Sequence, residues 1–299
     1  MRIGPVSSLV MISLLAAGQA ASARDDAVFD KTVAADARGI VEVSNFSGKV
    51  DVSAWDRPEV SVHAAGSVQG IEVKSDRGRT SITVRPPGMS FGTGPNVNLT
   101  VKIPALSELD VSGVSADVVS RDVMGGQRLK SVSGSIVADA TQGDVEAKTV
   151  SGNITLHGRG KPAGMHVSTI SGSVRLDHGA GDIEATSVSG DLKMELDPGR
   201  DVRMRTTSGD VSVQGRLAKD ADFDIQTVSG EVKVHAAPEG GFEYEVSTFS
   251  GSLRNCFNAQ SERTSKYGSG ERLSGSLGPG GARVRVKTMS GDVDLCNHP

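Results

Sequence analysis

Aromatic side chains are scarce: one Trp, two Tyr and seven Phe in 299 residues. A carbohydrate-cleaving groove needs converging carboxylates, often beside aromatic platforms, and there is little here to build platforms from. An excess of one charge is also missing. Thirty-two Lys and Arg stand against 36 Asp and Glu, a formal net charge of −4, with the signs alternating along the chain. That excludes the basic footprint of a nucleic-acid binder and reads as a solvated surface. Long helix-forming runs are absent. Beyond the N-terminus no apolar stretch is long enough to cross a bilayer.

The one long apolar run, Leu9–Ala17 (LVMISLLAA), follows Arg2 and precedes Ala21-Ser22-Ala23, the A-x-A form of a signal-peptidase site. Residues 1–23 therefore read as a secretory signal, too short to span. Export places the chain in an oxidising compartment, so its only two cysteines, Cys256 and Cys296, are expected to pair.

What the sequence has in abundance is glycine, 37 residues, much of it periodic. The segments SVSGSI, TVSGNI, TISGSV, SVSGDL, TTSGDV, TVSGEV, TFSGSL and TMSGDV repeat one unit around Gly134, Gly152, Gly172, Gly190, Gly209, Gly230, Gly251 and Gly291. The intervals are 18, 20, 18, 19, 21, 21 and 40 residues. An earlier DVSGVSADV, with Gly113, resembles a divergent first unit. Two residues after the glycine stands Ile, Val or Leu, and positions minus seven and minus five are mostly apolar around a polar minus six. That is the period-2 alternation of half-buried strands.

Position minus two is apolar except at Thr207, yet has the opposite parity to minus five. The alternation must skip at a bulge or corner, with glycine where a Cβ would clash. With minus two taken as buried, the hydroxyls beside it face outward: Thr149 and Ser151, Thr169 and Ser171, Thr206 and Ser208, Thr227 and Ser229, Thr248 and Ser250. Such an array serves either as ladders between neighbouring units or as a docking surface for a repetitive partner.

A unit of about 20 residues cannot bury its apolar face alone, but stacked units bury a continuous column. The expected fold is all-β, a repetitive β-solenoid like a right-handed parallel β-helix over residues 106–299, behind a β-rich cap over 24–105. A rolled stack of antiparallel hairpins is the alternative. Cys256 and Cys296 each lie five residues after their glycines, so adjacent units would bring them within disulfide range. The double interval then holds one unit with a hairpin, around 258–283, bulging outward.

The recurrent T-[VI]-S-G-[DSN]-[VIL] unit, the opening VEVSNFSGKVDVSAWD, the Lys102-Ile103-Pro104 step and the closing FSGSLRNCF and ARVRVKTMSGDVDLC resemble a bacterial cell-envelope family of β-strand-repeat proteins named as adhesins, a domain of unknown function. The resemblance covers nearly all of the chain after the leader. It implies an envelope or surface protein with a solenoid-like fold and brings no catalytic residues.

The residues themselves carry no catalytic, cofactor or metal signature. A Ser-Gly repeated eight times reads as a turn, not a nucleophile. The stacked acids Asp191, Asp210, Glu231 and Asp292 read as turn-stabilising side chains ahead of a cation row. His157 and His235 share a phase but, counted in chain order, lie four units apart, about 19 Å, too far for one ion. The expected function is a non-enzymatic, exported envelope or surface protein, periplasmic or extracellular, that binds a protein or glycan through its repetitive surface, with self-association possible. An envelope-stress regulator binding a membrane partner is the alternative, and a β-helix carbohydrate-active enzyme a weaker one.

Overall fold

The computed structural model describes residues 28–68, 70–85, 96–159, 161–238, 240–264 and 269–297. Residues 1–23, read from the sequence as a secretory signal, and residues 86–95 fall outside them. Among the described residues there is no α-helix, and every strand belongs to one hydrogen-bonded system.

The N-terminal strands are β1 (Val28–Ala34), β2 (Ile40–Trp55), β3 (Glu59–Gly66), β4 (Ile71–Asp76), β5 (Arg79–Val84), β6 (Asn96–Pro104) and β7 (Glu108–Arg121). Short strands follow: β8 (Gln127–Lys130), β9 (Ile136–Ala140), β10 (Val145–Lys148), β11 (Ile154–Gly158) and β12 (Met165–Ser168). Long ones then run through whole units: β13 (Val174–Ser189), β14 (Leu192–Ser208) and β15 (Val211–Ser229). The chain ends with β16 (Val232–Pro238), β17 (Phe242–Ser250), β18 (Leu253–Asn255), β19 (Glu262–Arg263), β20 (Glu271–Leu277), β21 (Ala282–Ser290) and β22 (Val293–Cys296).

Each unit is a rung whose two arms meet at the Ser-Gly corner, and both arms pair in parallel with the rungs on either side. The arm before the corner builds the ladder β2–β7–β8–β10–β12–β13–β14–β15. The arm after it builds β2–β7–β9–β11–β13–β14–β15–β16. Identical positions meet in register, so inward Val, Ile, Leu and Met stack into one core. Met165, Val167, Val174 and Leu176 of one rung and Val202, Met204, Val211 and Val213 of another are all at most 3 % exposed.

The stack reaches further back than the Ser-Gly spacing shows. Both arms of β2 pair with β7, bringing Gly48 opposite Ala116. The corner of the next rung, Gly134, packs on the Ala116 carbonyl, so Ala116 rather than Gly113 holds the corner position in β7. Residues 40–55, within the region read as a cap, are thus a rung.

At the other end the rungs do not follow chain order. β15 pairs with β21, not β17, and β21 lies between β15 and β17. Likewise β22 lies between β16 and β18. The last unit of the sequence is therefore intercalated between the Gly230 and Gly251 units. In space the corners run Gly48, Ala116, Gly134, Gly152, Gly172, Gly190, Gly209, Gly230, Gly291, Gly251. The inserted segment does not bulge outward from one rung: β20 turns back antiparallel along the far edge of β17, with β19 beside it. Antiparallel pairs also cover the first rungs, β4 against β5, and β3 against both β6 and β1. Covering the terminal rungs blocks the edge-to-edge pairing that an open parallel stack invites.

Candidate functional site

The corner explains the Ser-Gly signature. A Cβ on Gly172 would lie 1.9 Å from the carbonyl oxygen of Gly152, and one on Gly152 2.0 Å from that of Gly134. Backbone approaches backbone there, and only glycine leaves the room.

Two residues before the glycine, the chain faces outward twice in succession. The parity skip thus falls between minus three and the glycine, and the orientation expected from the sequence is reversed at minus three and minus two. Thr149, Thr169, Thr206, Thr227 and Thr248 point inward and are 2–6 % exposed. Val132, Val150, Ile170, Val188 and Val228 point outward and are 40–49 % exposed. Ser151, Ser171, Ser208, Ser229 and Ser250 are exposed, as expected. The proposed hydroxyl array therefore retains only its serines.

The buried hydroxyls serve backbone groups that the corner takes out of the ladder. Thr149 Oγ1 accepts from Gly152 N–H at 3.1 Å and donates to Gly134 O in the neighbouring rung at 3.3 Å. Thr169 donates to Gly152 O, Ser187 to Gly172 O and Thr248 to Gly291 O, at 3.2–3.4 Å. Thr206 and Thr288 stand in the same place, their Oγ1 atoms buried without a hydrogen bond. Half-exposing a Val forfeits on the order of 1 kcal/mol of burial. At the Gly152 corner an unpaired buried N–H would cost about 1–3 kcal/mol, so the hydroxyl wins the inward position there; the Gly190, Gly209, Gly230 and Gly291 amides donate instead to serine carbonyls of the neighbouring rung.

Stacked, the minus-two side chains form a ridge: Phe46, Val114, Val132, Val150, Ile170, Val188, Thr207, Val228, Met289 and Phe249 in spatial order. At about 4.8 Å per rung, it runs for about 43 Å. Its exposure rises at the intercalated end, to 57 % at Met289 and 74 % at Phe249. Lys130, Lys148, Arg205 and Lys287 flank it on the arm before the corner, and Asp117, Asp191, Asp210, Glu231 and Asp292 on the arm after.

Those acids act between rungs. Asp117 accepts from Ser135 N–H at 2.8 Å, Asp191 from Asp210 N–H at 3.0 Å, and Asp210 from Glu231 N–H at 2.8 Å. Asp292 accepts from both the N–H and the hydroxyl of Ser252, and the backbone bond chiefly holds its carboxyl below the ordinary value. This is the turn-stabilising role expected of the acid row.

A concavity of about 840 Å³ lies on the outer face of the β8–β10–β12–β13 ladder, lined by Glu146, Glu184, Arg128, Lys148 and His166 among others. These side chains pair with one another. Glu146 bonds Lys148, with Arg128 at 3.8 Å, and His166 Nε2 lies 3.6 Å from Glu184. The hydrogen bond from Lys148 lowers the Glu146 pKa, with the nearby charge of Lys148, Lys130 and Arg128 adding to it. A general acid needs the opposite shift.

Cys256 and Cys296 form the expected disulfide, Cα to Cα 4.9 Å. Their rungs are neighbours in chain order as well as in space, and the bond ties the intercalated unit to the terminal rung. The same rearrangement sets His235 directly beside Cys296, a proximity invisible in chain order. His157 pairs instead with Asp177, 3.3 Å away.

A stack of corner-linked parallel rungs, closed by antiparallel pairs, defines a class of repeat protein. The profile of the Toastrack family, DUF4097, matches residues 41–238 and 198–296, and the chain belongs to that family. Similar solved structures include a "putative lipid binding protein" from Parabacteroides distasonis, 14 % identical, with 90 % of this chain and 96 % of that one covered and a TM-score of 0.49. A "putative adhesin" from the same species is 10 % identical over 91 % and 98 % of the two chains, TM-score 0.47. Another from Bacteroides fragilis is 9 % identical over 90 % and 97 %, TM-score 0.41. No curated protein matches the sequence significantly.

Proposed function

We propose that this protein is a non-enzymatic, exported binding or scaffold module of the cell envelope that holds a protein partner along its corner ridge. The ridge carries the reading: a row of apolar side chains, 40–74 % exposed over most of its length, on a surface otherwise laced with ion pairs. Contiguous exposed apolar surface rimmed by charge marks interaction sites, and a row one residue wide suits a long, regular partner. Few aromatics are available to stack sugar rings, which favours protein over glycan. The mutually paired groups in the 840 Å³ concavity, with the Glu146 carboxyl held below its ordinary value, support a non-enzymatic role. The A-x-A leader and the disulfide support export, periplasmic or extracellular, and the general handedness of parallel crossovers supports a right-handed winding.

The test replaces Val150, Ile170 and Val188 together by Ser and captures partners from envelope extract with the mature chain. Capture of a specific protein by the wild type and its loss in the variant, at unchanged Tm, is the expected outcome. Retention by the variant, or capture of glycan alone, would overturn the reading.

A further inference from the structure

We infer that His235, Asp294, Cys256 and Cys296 form a zinc-class divalent-cation site in the reduced protein, which the disulfide closes. The four come from three rungs brought together by the intercalated unit. His235 pairs in register with Cys296, and Asn255 with Leu295, so Cys256 falls against Cys296 on the other side. His235 Nε2 lies 3.7 Å from Asp294 Oδ2, and Cys296 Sγ 3.7 Å from Asp294 Oδ1. One ligating atom each from His235, Asp294 and Cys296 lie within 4.8 Å of one another.

Tetrahedral zinc, with bonds of about 2.0–2.3 Å to N, O and S, sets its ligand atoms about 3.3–3.8 Å apart. The two 3.7 Å separations, one to each oxygen of the Asp294 carboxylate, fall within that range, and with one oxygen as ligand the three donor atoms lie within 4.8 Å. His235 Nε2 is buried and makes no hydrogen bond, and a buried polar atom of this kind requires an explanation. A metal bond supplies one. One imidazole, one carboxylate and two thiolates favour zinc over the oxygen-seeking calcium and magnesium.

With the disulfide formed, neither sulfur is a thiolate and the donor set is incomplete. A dithiol reductant delivers two electrons and two protons to the S–S bond, giving two thiols. The ion then displaces both thiol protons to solvent as it binds. A disulfide-class oxidant reverses this by taking two electrons from the thiolates, so that the sulfurs rebond and the ion leaves. In either state the Gly291 and Gly251 rungs stay cross-linked, once covalently and once through the ion.

Co²⁺ titrated into the reduced, full mature chain is the probe. Thiolate-to-cobalt charge transfer and the intense visible bands of tetrahedral Co²⁺ are expected, saturating at one ion per chain and displaced by Zn²⁺. The oxidised protein should show neither. Loss of an outer-shell partner alone costs about 10–100-fold in metal affinity. His235→Gln, on a half-exposed side chain, should therefore weaken binding at least about tenfold. Zn²⁺ should raise the Tm of the reduced wild type more than that of the variant. Absence of charge transfer in the reduced wild type, or equal affinity in H235Q and wild type, would overturn the assignment.

Discussion

Replacing Thr149 by Val removes one oxygen and leaves the shape of the side chain. Thr149 is 6 % exposed and is the hydrogen-bond acceptor for Gly152 N–H at 3.1 Å. Losing it leaves that amide unpaired at a closed corner, a cost of about 1–3 kcal/mol. The donation to Gly134 O, at 3.3 Å, adds about 0.5 kcal/mol. The extra buried methyl returns at most about 0.8 kcal/mol. The net expectation is a loss of about 2 kcal/mol. Thr149→Ser keeps both hydrogen bonds and gives up one methyl, about 0.8 kcal/mol. Ser151→Ala, at an exposed position, should stay within about 0.5 kcal/mol of wild type. Urea unfolding followed by far-UV circular dichroism ranks the three through their midpoints at constant slope. If T149V unfolds with the wild type while S151A is the destabilised variant, the corner faces the other way and the reasoning fails.

Gly172→Ala places a Cβ 1.9 Å from a backbone oxygen that no side-chain rotation can move, and should cost about 3 kcal/mol or more; a stability near wild type in the same urea assay contradicts the close approach. Without added metal, Cys256→Ser with Cys296→Ser should lose about 4 kcal/mol, the chain-entropy value for the 40-residue separation, and an unchanged midpoint under oxidising conditions would show that the link constrains nothing. Deleting 282–299 removes β21 and β22, through which, among the described strands, β17 and β18 pair onto the preceding rung. Limited proteolysis should then cut readily between 240 and 281 while 28–238 survives, and a wild-type digest pattern would refute the intercalated order. The lowered pKa of Asp292 means that its hold on Ser252 is present above the ordinary carboxylate pKa and lost as pH falls through the folded value. The protection of the Ser252 amide, its exchange rate relative to the intrinsic rate at each pH, should fall in the wild type as pH drops below the ordinary carboxylate value. Asp292→Asn should flatten that dependence, and equal acid sensitivity in both chains would rule Asp292 out as its source.

The rung was legible because its forces are local. The Ile, Val or Leu at plus two, and the polar minus six between mostly apolar neighbours, alternate as a half-buried strand must, and the glycine marks a place where a Cβ would not fit. The corner orientation was misread because parity alone permits either the valine or the hydroxyls inside. At the Gly152 corner the deciding term, the cost of an unpaired amide, requires knowing that Gly152 N–H meets Thr149. An unusual pair of adjacent outward residues, apolar then serine, in unit after unit is the signal that the apolar row was a surface. At Ala116 the glycine was no guide, since the corner had changed residue and Gly113 offered a false one three positions earlier.

By itself the sequence determined the all-β repeat, the length of a rung, the glycine corner and the pairing of the only two cysteines. Only the tertiary structure decided which rung lies beside which. TVSGEV, TFSGSL and TMSGDV present nearly the same inward side chains and the same backbone donors and acceptors, so a parallel ladder accepts any of them as a neighbour. The choice was made by longer-range contacts, β20 lying along the outer edge of β17 and β21 entering on its other side. That choice placed His235 beside Cys296 and the exposed Phe249 at the end of the ridge.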